Sequence, residues 1–470
     1  MDSQIYVCKH IVVLKITQSS GGEILKENIY FKGMETRGDD DKERVIGLID
    51  MDCFECQVYQ RDKPKLKGSP CVVANSKGRI VSVNYEARPS GISRSLCVSD
   101  AKKKCENLTV FKIPDVLGKP DNSKLRHASQ EVLDIIKDYI GKNGLDQIVL
   151  EYSPTDEFYL DLTNQVDHEL QNVFKKAYYG MIASSQIFPH LIAILLFLCT
   201  LLQHNSLAAL FVCLLIMPKF LKELKSTRER MRLHCGASLI RRVCNEIESK
   251  SRMTASGGVS GNKFRAKLAS SENKPNGVAI IEGNDFNDIL SSKKIRDVPG
   301  LKSGLGEKVS STWGIREIQE LKKYSRDELQ RYLEADEVDK ILNILTGIDP
   351  SPVIAKEFSA AIHCRKTIFA ARQTGHGETY GAGKGKPNLQ KLFTDRCTEL
   401  LERLEEEKKR NGRRAKNISV EISYLTNPSD ESSAKGNVRT FTPKWVQGAA
   451  RMAKEGVRLE IWTYFEKKDT

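Results

Sequence analysis

Two tight acidic groups stand out in the chain, Asp50-Met51-Asp52 and Asp156-Glu157. The first closes an apolar run, Arg44-Val45-Ile46-Gly47-Leu48-Ile49-Asp50, and the second opens another over residues 157–162. Carboxylates at strand ends are expensive to bury as charges and call for compensating cations. Oxygen-only ligands of this kind suit Mg²⁺, which prefers a few carboxylates together with water and substrate phosphates. Two such ions ~3.5–4 Å apart can clamp the attacking and leaving oxygens of an in-line phosphoryl displacement. Spacing alone favours a plainer reading, in which these are solvated turn acids.

A second group is Tyr85-Glu86-Ala87-Arg88-Pro89-Ser90-Gly91-Ile92-Ser93-Arg94, which places a phenol and two guanidiniums around a turn-permitting glycine. Arginine forks match phosphate oxygens. Lys274, in Asn273-Lys274-Pro275-Asn276-Gly277, adds a cation on a turn. Solvated basic loops are the plainer alternative here too.

The elements that must position these residues are legible as patterns. The nearly continuous apolar run ending at Asp50 predicts a strand covered on both faces. Further strands are expected at residues 70–74, 79–84, 148–150 and 157–162, and helices at 98–106, 125–140, 237–249 and 262–271. Alternating strands and helices indicate a mixed α/β core. Near residue 295, Val298-Pro299-Gly300 and Gly304-Leu305-Gly306 resemble a helix–hairpin–helix, whose backbone N–H groups can hold a DNA phosphate without reading sequence. An ordinary helical turn fits those residues equally well. Residues 350–363 read as a linker. Beyond it come strands at 366–371, 417–424 and 458–464 and helices at 389–410 and 443–454, a small α+β module. Gly383–Lys386 is a phosphate-tracking loop or a flexible one.

The chain has 470 residues with 74 basic and 61 acidic side chains, a net charge of +13. Residues 351–470 hold 23 basic and 15 acidic residues, so most of the surplus sits in that last module. Such a balance suggests a polyanionic partner. Twelve scattered cysteines, with Cys53-x-x-Cys56 the only close pair, read as buried reduced thiols rather than a structural zinc. A secreted disulfide scaffold, a collagen-like fibre and a disordered tail protein are excluded by composition. Residues 1–43 read as a weakly structured extension, with Met34 a candidate start of the folded protein. The apolar runs 191–202 and 207–217 are each shorter than a ~20-residue membrane span. They read as an insertion foreign to its surroundings, over about residues 170–230, and no membrane partner is expected.

In order and spacing, Arg44–Tyr59, Tyr85–Arg94, Ser153–Thr163 and Gly258–Gly277 together resemble the Y-family of DNA polymerases, and most of all its eta class. The similarity is strong over 44–163 and 237–350, weaker over 360–470, and absent over 1–43 and most of 170–230. The resemblance implies an α+β right-hand polymerase with an α/β palm (44–52 and 124–290). Fingers would span 53–123, a helical thumb with the helix–hairpin–helix 291–350, and a little finger 360–470.

By the same resemblance, Asp50, Asp156 and Glu157 are the catalytic acids that bind two Mg²⁺ ions, with Mn²⁺ able to substitute, and the Met51 carbonyl completes one shell. Tyr85, Arg88 and Lys274 would hold the triphosphate of an incoming deoxynucleoside triphosphate, and Arg94 would reach its phosphate or base. Asn75 falls near a position facing the templating pair. The implied activity is template-directed synthesis past damaged bases on primer–template DNA in the nucleus. A sliding clamp is a further expected partner, although no clamp peptide or ubiquitin-binding zinc finger is visible in the sequence. Three departures stand out. Glu55 occupies the usually aromatic sugar-gate position, Tyr59 stands where an acid is common, and Ser153-Pro154-Thr155 precedes the catalytic pair. The competing reading is a catalytically impaired scaffold that binds primer–template junctions.

Overall fold

The computed structural model describes residues 44–153, 155–184, 207–283, 285–302, 304–356, 361–369, 389–413, 415–425, 434–439 and 456–465. The expectations for residues 1–43, for Pro154, for the apolar run 191–202, for Gly383–Lys386 and for a helix at 443–454 lie outside the described residues.

The apolar run ending at Asp50 forms β1 (Ile46–Met51), buried along its whole length. The segment that follows contributes β2 (Cys71–Ala74), β3 (Ile80–Val83) and β4 (Thr109–Lys112), paired in the order β3-β2-β4. A two-residue hairpin, β5 (Asp115–Val116) and β6 (Lys119–Pro120), comes next. Then come β7 (Val149–Ser153), β8 (Glu157–Asp161), β9 (Ala255–Ser260) and β10 (Val278–Ile280). These join β1 in a five-stranded sheet of order β10-β9-β1-β8-β7, antiparallel except for the β10–β9 pair. The last module holds β11 (Ala361–Phe369), β12 (Ala415–Leu425), β13 (Ala434–Arg439) and β14 (Gly456–Phe465), in the order β11-β14-β12-β13, with the helix Leu389–Asn411.

Alternation along β1 decides which side of the sheet each residue faces. Ile49 and Met51 share a core with Phe158, Leu160, Leu133 and Ile136, and with Leu239, Ile240 and Val243 of the long helix Leu207–Ser251. Ile46 and Leu48 face the other way, against Ala266 of the helix Lys263–Ser270 and Val353. Full burial of such side chains contributes ~1.5–3 kcal/mol each. This is what lets the sheet carry charged groups at its strand ends. Helix Lys263–Ser270 packs so close to β9 that a Cβ on Gly258 would lie inside the backbone of Ala266 and Ser270.

Several expectations needed correction. The helix expected over 237–249 begins at Leu207, because the apolar run 207–217 continues into it without a break. No helix among the described residues is long and apolar enough to cross a membrane. The linker is shorter than expected, since β11 begins at Ala361 rather than at residue 366. Near residue 298 the glycine turn is real. A 3-10 turn, Ile295–Asp297, leads through Gly300 at φ 85° into the helix Leu305–Trp313. The described cysteines are all free thiols, with Cys56 and Cys71 buried.

Candidate active site

Antiparallel register sets Asp50 directly opposite Glu157. The Met51 amide donates to the Asp156 carbonyl at 3.0 Å, which ties the loop before β8 to the end of β1. Two acidic groups about a hundred residues apart in the chain thus meet at one end of the sheet. Asp50 shares its face of β1 with Ile46 and Leu48, the face covered by helix Lys263–Ser270.

That helix starts at Asn262, whose side chain accepts from the Arg265 amide and caps it. The cap sets Lys263 and Lys267 one turn apart on the same face. Lys263 Nζ pairs with Glu151 at 2.6 Å. Lys267 bonds Asp50 and lies 2.8 Å from Glu157. Lys274 Nζ approaches the other Asp50 oxygen at 2.6 Å. Lys267 was missed in the sequence reading. Its signal was the capping asparagine followed by lysines spaced i and i+4.

Charge explains the titration of the group. Burial pushes the Asp50 carboxyl up, but the Lys274 and Lys267 ammonium groups outweigh it and hold it below the usual aspartate range. Asp156 goes the other way. Burial first, then the charges of Asp50, Glu55 and Glu157, push it up to about 6. Glu55, in the first turn of the helix Phe54–Gln60, is therefore close enough to act on the acidic cluster. Lys302, in the glycine turn, is held below the usual lysine range by burial and by the like charge of Lys267. A cleft of ≈ 440 Å³ borders Lys267 and is lined also by Glu151, Tyr159, Lys263, Gly300 and Lys340, and Asp50, Asp156 and Glu157 are not among its lining residues.

The second group also gathers, in part. The Tyr85 hydroxyl lies 3.5 Å from Asp52, and the Arg88 guanidinium sits 4.0 Å from the Tyr85 ring centroid. Burial and the nearby Asp52 charge push the Tyr85 phenol well above its ordinary value. Arg94 is exposed. The Asn75 side chain accepts from the Lys77 and Arg79 amides and so closes its own turn.

Among the described residues, no three acidic, histidine or cysteine side chains are closed into a metal cage. The lysines neutralise Asp50 and Glu157 instead. Asp156 lies within reach of the charges of Asp50, Glu55 and Glu157, and carboxylate oxygens are the donor type that hard divalent cations take. Residues 49–271 match the impB/mucB/samB family.

The chain carries a Y-family domain.

It is 28% identical over 438 residues to DNA polymerase eta of Drosophila melanogaster, covering 90% of this chain and 46% of that one. It is 26% identical to DNA polymerase eta of Arabidopsis thaliana, over 83% of this chain and 55% of that one. With DNA polymerase IV of Staphylococcus aureus (strain JH9) it shares 29% identity, over 69% and 70%. The chain thus spans about half the length of the eta relatives it matches. A Y-family DNA polymerase chimera of known structure superposes with a TM-score of 0.53 at 16% identity, covering 89% of this chain and 98% of that one. The Y-family domain accordingly has the mixed α+β fold of the right-hand polymerases.

Proposed function

We propose that the chain is a DNA-directed DNA polymerase of the eta type, which extends a primer past damaged template bases. The observation that carries this reading is the meeting of Asp50 with Asp156 and Glu157 at the ends of β1 and β8. In this reading the palm comprises residues 44–52 and 124–290, the fingers 53–123, the thumb 291–350 and the little finger 360–470.

Asp50, Asp156 and Glu157, with the Met51 carbonyl, would hold two Mg²⁺ ions. Bound there, the ions supply Lewis-acid activation of the primer 3′-hydroxyl and charge neutralisation at the leaving pyrophosphate. The chain's own groups do the rest. Tyr85, Arg88 and Lys274 grip the triphosphate and aim its α-phosphorus at the 3′-hydroxyl, and their fixed positive charge meets the negative charge that develops on pyrophosphate. Arg94 reaches the nucleotide from its exposed turn. Lys267 balances Asp50 and Glu157 while no cation is bound. Glu55 faces the sugar, and the basic last module grips duplex phosphates without reading sequence. Such work on damaged chromosomal DNA places the protein in the nucleus.

Primer extension on a gel, with Mg²⁺, tests the reading. Asp156→Ala is expected to abolish extension while leaving primer–template binding near normal. Full extension by this variant would reject the metal assignment. A wild-type protein that shifts DNA but adds no nucleotide would instead identify the scaffold. That alternative draws its motive from Pro154 and the apolar insertion, whereas all three acids are present here.

A further inference from the structure

Asp52 is 1% exposed, yet no lysine or arginine bonds its carboxylate among the described contacts. Four donors from three separate segments converge on it instead. Ser256 Oγ, in β9, lies 2.7 Å from Oδ1, and Thr254 Oγ1, on the residue just before that strand, lies 3.0 Å from Oδ2. The Asn276 backbone amide donates to Oδ2 at 2.8 Å, and the Tyr85 hydroxyl lies 3.5 Å from Oδ1. The neighbouring acid on the strand, Asp50, takes the two lysines. Asp50 and Asp52 therefore divide the work, one holding cations and the other holding neutral donors.

What those donors carry gives Asp52 its importance. Asn276 belongs to the turn that presents Lys274, and that turn is fixed on its other side by Arg241 Nη1 donating to the Asn276 carbonyl at 3.0 Å. Tyr85 carries the Arg88 guanidinium stacked on its ring. Lys274 and the Tyr85–Arg88 pair lie about 190 residues apart in sequence, and the described hydrogen bonds join both to the one carboxylate. A charged acceptor makes stronger bonds than a neutral one and orients each donor along a lone-pair direction.

We propose that Asp52 is a positioning residue, which holds the Lys274 turn and the Tyr85 hydroxyl at the mutual distance that makes them one triphosphate grip. The proposal rests on the polymerase reading for the identity of the ligand. Asp52 touches no reacting atom. Its loss should weaken nucleotide binding and leave the chemical step intact.

Single-nucleotide incorporation by Asp52→Asn and by the double variant Thr254→Val with Ser256→Ala tests this. The double variant keeps the carboxylate and removes two of its anchors, so it serves if Asp52→Asn does not fold. For Asp52→Asn the KM for a deoxynucleoside triphosphate should rise about tenfold, while kcat and primer–template affinity stay within about threefold. The double variant should show a smaller rise in KM. Asp52→Glu, which restores the charge, should recover part of the loss. Unchanged KM in a folded Asp52→Asn overturns the proposal, as does a fall in kcat at constant KM. Melting shifts induced by deoxyadenosine triphosphate provide the second readout. A wild type that shows the melting shift but extends no primer sinks the polymerase reading alone, and Asp52 is then judged by whether Asp52→Asn loses the shift. A wild type showing neither overturns both.

Discussion

Asp156 and Glu55 illustrate how a few ångströms change what a side chain does. Asp156 titrates up to about 6 because burial and three neighbouring carboxylates oppose its charge. A raised carboxyl pKa means the folded state favours the neutral form. Its contribution to stability is fully present below about pH 3.8 and is lost as pH rises through about 6. At neutral pH the charged group thus costs the metal-free protein up to about 3 kcal/mol. Asp156→Asn is expected to raise the metal-free melting temperature at pH 7.5, with the gain shrinking as pH falls from about 6 towards 4. Thermal melts in a chelator, across pH, check this, and a gain independent of pH would contradict the charge account. Glu55 offers a second case. On the polymerase reading proposed above, Glu55 stands beside the sugar, where a carboxylate accepts a hydrogen bond from a ribose 2′-hydroxyl that an aromatic ring would exclude. Glu55→Phe is expected to increase discrimination against ribonucleotides by at least about tenfold. The ratio of kcat/KM for deoxy and ribo substrates measures it, and an unchanged ratio removes Glu55 from the sugar site.

At the scale of elements, the helix Lys263–Ser270 delivers Lys267 to the acids only because β9 is bare at Gly258. Adding one methyl there forces backbone apart rather than a flexible side chain. Gly258→Ala is therefore expected to cost about 3 kcal/mol, since overpacking in a tight core is felt fully. Urea unfolding would register this, and a loss below about 0.5 kcal/mol would mean the helix shifts freely. The elements carrying strong signals were legible in sequence. The apolar β1 run, the glycine turn at residue 300 and the helix Leu389–Asn411 are examples. Others were not. The segment Ala255-Ser256-Gly257-Gly258-Val259-Ser260 has poor strand propensity, and it becomes a central strand because β1 and β10 pair with it on both sides. β13, Ala-Lys-Gly-Asn-Val-Arg, is recruited in the same way by β12.

For the whole molecule, the telling contact joins the hairpin of β5 and β6 to the helix of the last module. Arg396, fully buried, donates to the Leu117 carbonyl and to Glu399 at 2.7 Å, and Lys119 pairs with the same Glu399. One carboxylate thus meets Lys119 across the junction while also holding Arg396 and, at 3.8 Å, Arg403 on its own helix. Removing its charge leaves them unpaired, and breaking a buried pair costs about 3–5 kcal/mol. Glu399→Gln is expected to release the hairpin from the helix. Amide hydrogen exchange should then rise at residues 115–120 while peptides from β1 and β8 stay protected. Unchanged protection at the hairpin would show that the contact is held by packing alone.

The order and spacing of four motif blocks already carried the family resemblance and the α+β class and singled out Asp50, Asp156 and Glu157 as candidates, because residue types at strand ends and turns are local properties of the chain. The assignment of cations to acids was decided only by the fold. Lys267 and Lys274 reach Asp50, whereas Asp52, two residues on, takes hydroxyls and a backbone amide. Nothing in the string Asp-Met-Asp separates those fates. They follow from which helix covers one face of the sheet and which turn meets its end, and both depend on strand pairing between residues about two hundred positions apart.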